Sequence, residues 1–133
     1  MKWLTVADVL LIHQRVIQET GGEGGVLKRD SLEACVARPL ASFGDQEVYP
    51  DLLSKVAALI HGIITAHPFV DGNKRVALVA ADVCLRLNGF RIRPSHEVEE
   101  FFWSIARGEQ TVDQIREWLA EHIEPFEQGT EQE

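Results

Sequence analysis

The chain has 133 residues, 45% hydrophobic and 26% charged, which suits one compact domain with its own core and leaves little room for a second. Its 21 acids face only 13 Lys and Arg, for a formal net charge of −8. General nucleic-acid binding is excluded on that balance, because neutralising phosphates needs a clustered basic surface, so any nucleotide must be held locally.

Met1-Lys2-Trp3 leads straight into a polar–apolar pattern with no signal-like or membrane-spanning apolar run, and the expectation is a cytoplasmic protein that does not engage a membrane. Thr5 can cap a first helix in which Val6, Val9, Leu10, Ile12, Val16 and Ile17 recur at helical spacing, with His13 inside it. Gly21-Gly22-Glu23-Gly24-Gly25 ends that helix, since so many glycines cost too much backbone entropy to continue it. This segment reads as a connector: it lacks the Lys-Ser/Thr ending of a P-loop and follows no strand. Asp30 or Ser31 then opens a short helix that Arg38-Pro39 stops. Residues 39–50 read as irregular or hairpin-like. Cys35 and Cys84 fall in helical stretches without disulfide or zinc spacing, as reduced, buried thiols do.

From Asp51, the run Leu52, Leu53, Val56, Ala57, Leu59, Ile60, Ile63, Ile64 is apolar on more than one face, which predicts a central helix. Pro68 cannot continue it, and a second apolar helix follows through Val76, Ala77, Val79, Ala80, Val83, Cys84 and Leu87 to a stop at Asn88-Gly89. Further helices start near Ser95, carrying Val98, Phe101, Phe102 and Ile105, and near Thr111, carrying Val112, Ile115, Trp118, Leu119 and Ile123. The domain is expected over residues 1–124, and 125–133 reads as an acidic, frayed tail. The sum is all-α with little sheet.

Between the two core helices lies His67-Pro68-Phe69-Val70-Asp71-Gly72-Asn73-Lys74-Arg75. Gly72 and Asn73 stand at a helix start, where unpaired N–H groups and the positive end of the macrodipole attract anions. Lys74 and Arg75 add cations in that first turn, where a purely structural helix start favours acids; an anionic ligand offsets the conflict. Asp71 is the candidate Mg²⁺ ligand, because a carboxylate beside a phosphate cradle suits a cation that keeps most of its waters. His67 is the candidate base, since an imidazole can take a proton from an attacking hydroxyl. Phe69 is read as an inward anchor. His13, His61, His96 and His122 are read as structural or solvated, and Phe101, Phe102, Trp103 and Trp118 as helix core with one member spilling outward; Trp103 or Phe90 could line a groove for a partner helix.

The stretch resembles the signature of the Fic/Doc superfamily, specifically its Doc (death-on-curing) branch: His, any residue, Phe, any residue, Asp or Asn, Ala or Gly, then Asn-Lys-Arg. Every fixed position is met. Leu32-Glu33-Ala34-Cys35-Val36-Ala37-Arg38-Pro39, Tyr49-Pro50-Asp51-Leu52 and Asn88-Gly89-Phe90 fall where Doc-like toxins carry related residues. The resemblance implies a Fic/Doc-type bundle of about six helices with a short hairpin-like flap at residues 42–50 on which a target segment docks. It implies that His67 is the general base, Asp71 the Mg²⁺ ligand, and Gly72, Asn73, Lys74 and Arg75 the contacts to the phosphates of ATP, with Lys74 and Arg75 also catalytic. AMP-transferring Fic enzymes carry Gly-Asn-Gly-Arg where this chain has Gly72-Asn73-Lys74-Arg75. Lys74 therefore implies transfer of the γ-phosphate by a Doc-type protein serine/threonine kinase, a toxin that arrests translation through elongation factor Tu. No Ser/Thr-x-x-x-Glu-Gly/Asn self-inhibitory segment stands in either terminal region, which implies inhibition by a separate Phd-type antitoxin. Thr65 and Val76-Ala77-Leu78-Val79 depart from some Doc kinases, which have a basic residue at the first position and Thr-Ala-Leu-Asn at the rest. The alternatives are an AMP-transferase, a catalytically degenerate Fic-fold binding module, and a metal-dependent hydrolase using His61, His67 and Asp71.

Overall fold

The computed structural model describes residues 1–127, and among them six α-helices and two small antiparallel strand pairs form the fold. Helix α1 (Val6–Thr20) opens on a capping box in which the Thr5 side chain accepts the Asp8 N–H and the Asp8 carboxylate accepts the Thr5 N–H. It ends, as expected, at Gly21. Helix α2 (Arg29–Ala37) starts slightly earlier than Asp30, behind an N-cap, Lys28, that makes no side-chain cap. Arg38-Pro39 stops it by tightening the chain into a 3-10 turn, Arg38–Leu40, whose early positions need no N–H from proline.

Residues 39–50 do contain a hairpin, β1 (Ser42–Phe43) paired with β2 (Gln46–Glu47). Lys55, buried in the next helix, anchors its base by donating from its ammonium to the Glu47 carboxylate and the Tyr49 carbonyl. That helix, α3 (Leu52–Ala66), is buried without interruption from Ser54 to Ile60 and packs against α2, α4 and α6. Each fully buried Leu or Ile there contributes about 1.5–3 kcal/mol relative to exposure. Helix α4 (Asn73–Leu87) lies beside it and ends at Asn88. The α3–α4 pair therefore forms a rigid base for the loop that joins them.

Helix α5 (Glu97–Ala106) begins just after Ser95, whose hydroxyl accepts the Glu97 N–H. Helix α6 (Val112–His122) begins at a Thr111 capping box. The reading that α6 carries Ile123 is corrected: Ile123 leaves the helix with extended backbone and opens β4 (Ile123–Pro125), which pairs with β3 (Phe90–Ile92). The Phe126 N–H donates to the Gly89 carbonyl, and the Arg86 guanidinium stands 4.6 Å from the Phe126 ring centroid. Contacts to the body of the fold thus continue beyond Glu124, while residues 128–133 of the expected tail lie outside the described residues. Both cysteines are free and buried, and burial pushes the Cys84 thiol up to about 12. No described helix is long and apolar enough to cross a membrane.

Candidate active site

The loop from His67 to Gly72 is fixed from three sides. Phe69 is fully buried, and its ring stacks on His13 of α1 with centroids 3.9 Å apart. On one edge, Phe69 forms an antiparallel bridge with Val26, through Leu27 N–H to Pro68 O and Val70 N–H to Gly25 O. On the other edge the Asn73 side chain acts as a substitute strand: Oδ1 accepts the Phe69 N–H at 3.0 Å and Nδ2 donates to the Phe69 carbonyl at 2.9 Å. His13 completes the clamp by donating from Nε2 to the Asp71 carbonyl at 3.0 Å, the role a carbonyl partner requires of that nitrogen.

His67 caps the C-terminus of α3 at φ 53, ψ 58, and is the non-glycine residue with positive φ among those described. A left-handed conformation costs a residue with a side chain about 1–2 kcal/mol, which the three-sided clamp on the following residues sustains. The imidazole is exposed, and its Nδ1–H donates to the Ile64 carbonyl at 3.0 Å. That bond selects the tautomer in which Nε2 carries the lone pair. His67 is thereby oriented as a proton acceptor.

Gly72 begins α4 at φ 84, and a Cβ there would stand 3.4 Å from Ile17 and 3.6 Å from Val16. Both backbone angle and α1 packing call for glycine. With no cap side chain, the N–H groups of Asn73, Lys74 and Arg75 have no hydrogen-bond partner among the described residues, and the first turn holds no acid. Such a start presents donors and positive potential to an anion. Asn73 can offer only its backbone N–H there, because its side chain is committed to Phe69. Arg75 is exposed and makes no ion pair among the described residues, and the Lys74 ammonium rests 4.3 Å from the centroid of the Trp103 ring.

These groups share a cleft of about 370 Å³, lined by Thr20, Ile64, His67, Val70, Asp71, Gly72, Asn73, Lys74, Arg75, Trp103 and Ala106. All the residues singled out from the motif for chemistry are therefore brought together. A smaller hollow of about 220 Å³ shares Lys74 and Arg75 and is otherwise lined by Leu78, Ser95, Val98, Glu99 and Phe102. It has the cations but neither His67 nor Asp71.

Asp71 is exposed, and its Oδ2 accepts the Glu23 N–H at 2.9 Å, leaving Oδ1 without a partner among the described residues. A single oxygen-donor side chain fits a hard cation that keeps its waters and takes further ligands from phosphate. Among the described residues no three His, Cys, Asp or Glu side chains converge to hold a metal, so His61 does not join His67 and Asp71 in the cage that the hydrolase reading needs. The glycine-rich segment connects α1 to α2 as expected and is also a second wall of the loop: the Glu23 N–H donates to the Asp71 carboxylate and Gly25 pairs with Val70. Gly22, at φ 109, leaves room for that approach, since a Cβ there would stand 3.3 Å from Asp71 Cβ. The sequence does not reveal that Thr20 and Trp103 line the cleft, or that His13, structural as expected, bonds the Asp71 carbonyl. A signal existed for His13, a polar ring on the apolar stripe of α1; Thr20 carried none.

The sequence model of the Fic/DOC family matches residues 3–85, from the segment before α1 into α4. The chain belongs to the Fic/DOC family. It is 37% identical over 103 residues to the protein named Toxin Doc of Mycolicibacterium smegmatis, covering 75% of this chain and 79% of that one. It is also 29% identical over 119 residues to the Protein kinase doc of Escherichia phage P1, covering 90% and 94% of the two chains.

Proposed function

We propose that this protein is a toxin of a toxin–antitoxin module that transfers the γ-phosphate of ATP to a serine or threonine hydroxyl of another protein. The observation that carries the reading is His67 Nε2, left with its lone pair by the Nδ1–H bond to Ile64, in one cleft with the uncapped, doubly cationic start of α4. The names of the two relatives, Toxin Doc and Protein kinase doc, support the same class of activity.

In the proposed reaction His67 Nε2 accepts the proton of the acceptor hydroxyl as its oxygen attacks the γ-phosphorus. The new O–P bond forms as the bond to the bridging β–γ oxygen breaks, and the electrons leave with ADP. Arg75, Lys74 and the free N–H groups of the first turn neutralise the charge spread over the phosphate oxygens. Asp71 would hold Mg²⁺ through its unpartnered oxygen, and the ion would supply further charge neutralisation there. Lys74 supports phosphoryl transfer over AMP transfer, because its side chain occupies the cleft where AMP-transferring relatives have glycine. The acceptor we propose is a translation factor, elongation factor Tu first, and the inhibitor a Phd-type antitoxin acting in the cytoplasm.

Incubation with α- and γ-labelled ATP in separate reactions, with bacterial lysate as acceptor, tests this. The expected result is γ-label on one acceptor band. Label from the α position would overturn phosphoryl transfer in favour of AMP transfer. His67→Ala is expected to lower transfer by about 10²–10⁴-fold, the range of a positioned general base, and to abolish growth arrest. Growth arrest that survives the substitution would make the fold a binding module.

A further inference from the structure

Helix α5 carries three consecutive aromatic residues, and they go to different places. Phe102 is buried in the core, and Phe101 stacks on Trp118 of α6 with centroids 4.4 Å apart. Trp103 stands 48% exposed in the wall of the cleft, outside the stretch that the family model matches, with the Lys74 ammonium on its face. Its indole N–H makes no hydrogen bond among the described residues. Nothing about the packing of α5 on α6 requires this third ring.

We propose that Trp103 is a positioning residue that holds the Lys74 ammonium inside the cleft, ready for the phosphates of an incoming nucleotide; this rests on the reading of the cleft as a polyphosphate site. The physical case turns on what kind of partner Lys74 has. The α4 start already concentrates positive potential, with no acid in its first turn and Arg75 beside Lys74. Left to itself, the flexible lysine stem would carry its charge away from that field into solvent. A carboxylate could hold it, but would cancel the charge the phosphate needs. The indole face instead attracts the ammonium through its quadrupole and takes up no charge. Lys74 makes no ion pair among the described residues, so its charge and its N–H groups remain available. Pre-setting the side chain also removes part of the entropy cost of binding.

The test is a double-mutant cycle on the full chain, read by titration calorimetry with sodium tripolyphosphate in magnesium-containing buffer. Trp103→Leu is expected to weaken binding roughly three- to tenfold, the range of a partly desolvated cation–π contact. Trp103→Phe, which keeps an aromatic face, is expected to restore most of the loss. In a Lys74→Met background Trp103→Leu should change affinity by less than about twofold, because the tryptophan would act only through the lysine. Equal losses in both backgrounds would show a merely structural tryptophan and overturn this proposal alone. No binding of tripolyphosphate by the unmodified protein would overturn the polyphosphate reading of the cleft and this proposal with it.

Discussion

Helices α3 and α4 are each 15 residues long and packed side by side, yet they begin in opposite ways. At the start of α3, Asp51 accepts the Ser54 N–H, the Ser54 hydroxyl answers to the Asp51 backbone N–H, and the Arg116 guanidinium binds the Asp51 carboxylate from α6. At the start of α4 there is a glycine without a cap, no acid, and two cations against the dipole. A helix that has only to be stable satisfies its own orphan donors. The start of α4 leaves them unpartnered among the described residues, which is what the proposed phosphate site requires, and the contrast between two neighbours of equal length separates that from general looseness in the fold.

The comparison breaks most severely at Asn73, which serves stability from within the uncapped start of α4. Asn73→Ala leaves the buried N–H and carbonyl of Phe69 without partners, at about 1–3 kcal/mol for each unsatisfied group. A loss of about 2–6 kcal/mol in unfolding free energy is expected by urea denaturation. A loss under about 0.5 kcal/mol would show that the clamp does not hold the loop.

Asp51→Ala removes the cap that α4 never had, and should cost about 1–2 kcal/mol while leaving tripolyphosphate binding at the unmodified level. The Arg116 hydrogen bond holds the Asp51 carboxyl below its ordinary value in the folded protein, with Ser54 adding to the effect against a partial desolvation cost. The sign follows: the folded state favours the ionised form, so the contribution is present at neutral pH and is lost as pH falls through the depressed value. The stability gap between the unmodified protein and Asp51→Ala should stay constant above about pH 5 and narrow below about pH 4. A gap that widens on acidification would contradict the assigned pairing.

Both core helices were legible in the sequence because 15-residue apolar patterns repeat often enough to define a face, and proline and glycine mark their ends. The motif residues were legible for the same reason: one loop between two rigid helices keeps sequence neighbours together in space. The β3–β4 pairing was not, because strands of three residues carry almost no alternation and their partners lie some thirty positions apart. Ile123 continues the helical spacing of Ile115 and Leu119, and only the tertiary pairing with Ile92 draws it out of α6. The docking of residues 21–25 on the site was hidden for another reason. It runs through the Glu23 amide and the Gly25 carbonyl, groups that every residue carries and no composition signals. His13 reads from the sequence as structural or solvated; burial and its bond to the Asp71 carbonyl make it structural, a support of the loop that carries the site.

The smallest expected effect sharpens the comparison most, because it should move stability and binding in opposite directions. Arg75 is exposed, makes no side-chain hydrogen bond or ion pair among the described residues, and sits in the first turn of α4, so replacing it with glutamate breaks neither kind of bond. Arg75→Glu removes a charge that opposes the macrodipole and adds one that favours it, which should raise unfolding free energy by about 0.5–1 kcal/mol. The same substitution puts a negative charge where the phosphates are proposed to bind, and tripolyphosphate affinity should fall by about tenfold or more, the worth of one charge-assisted hydrogen bond. If Arg75 stood in the first turn of α4 for stability alone, the variant would be less stable and binding would not respond. A protein that becomes firmer as it loses its ligand shows that the α4 start trades stability for binding, where the α3 start does not.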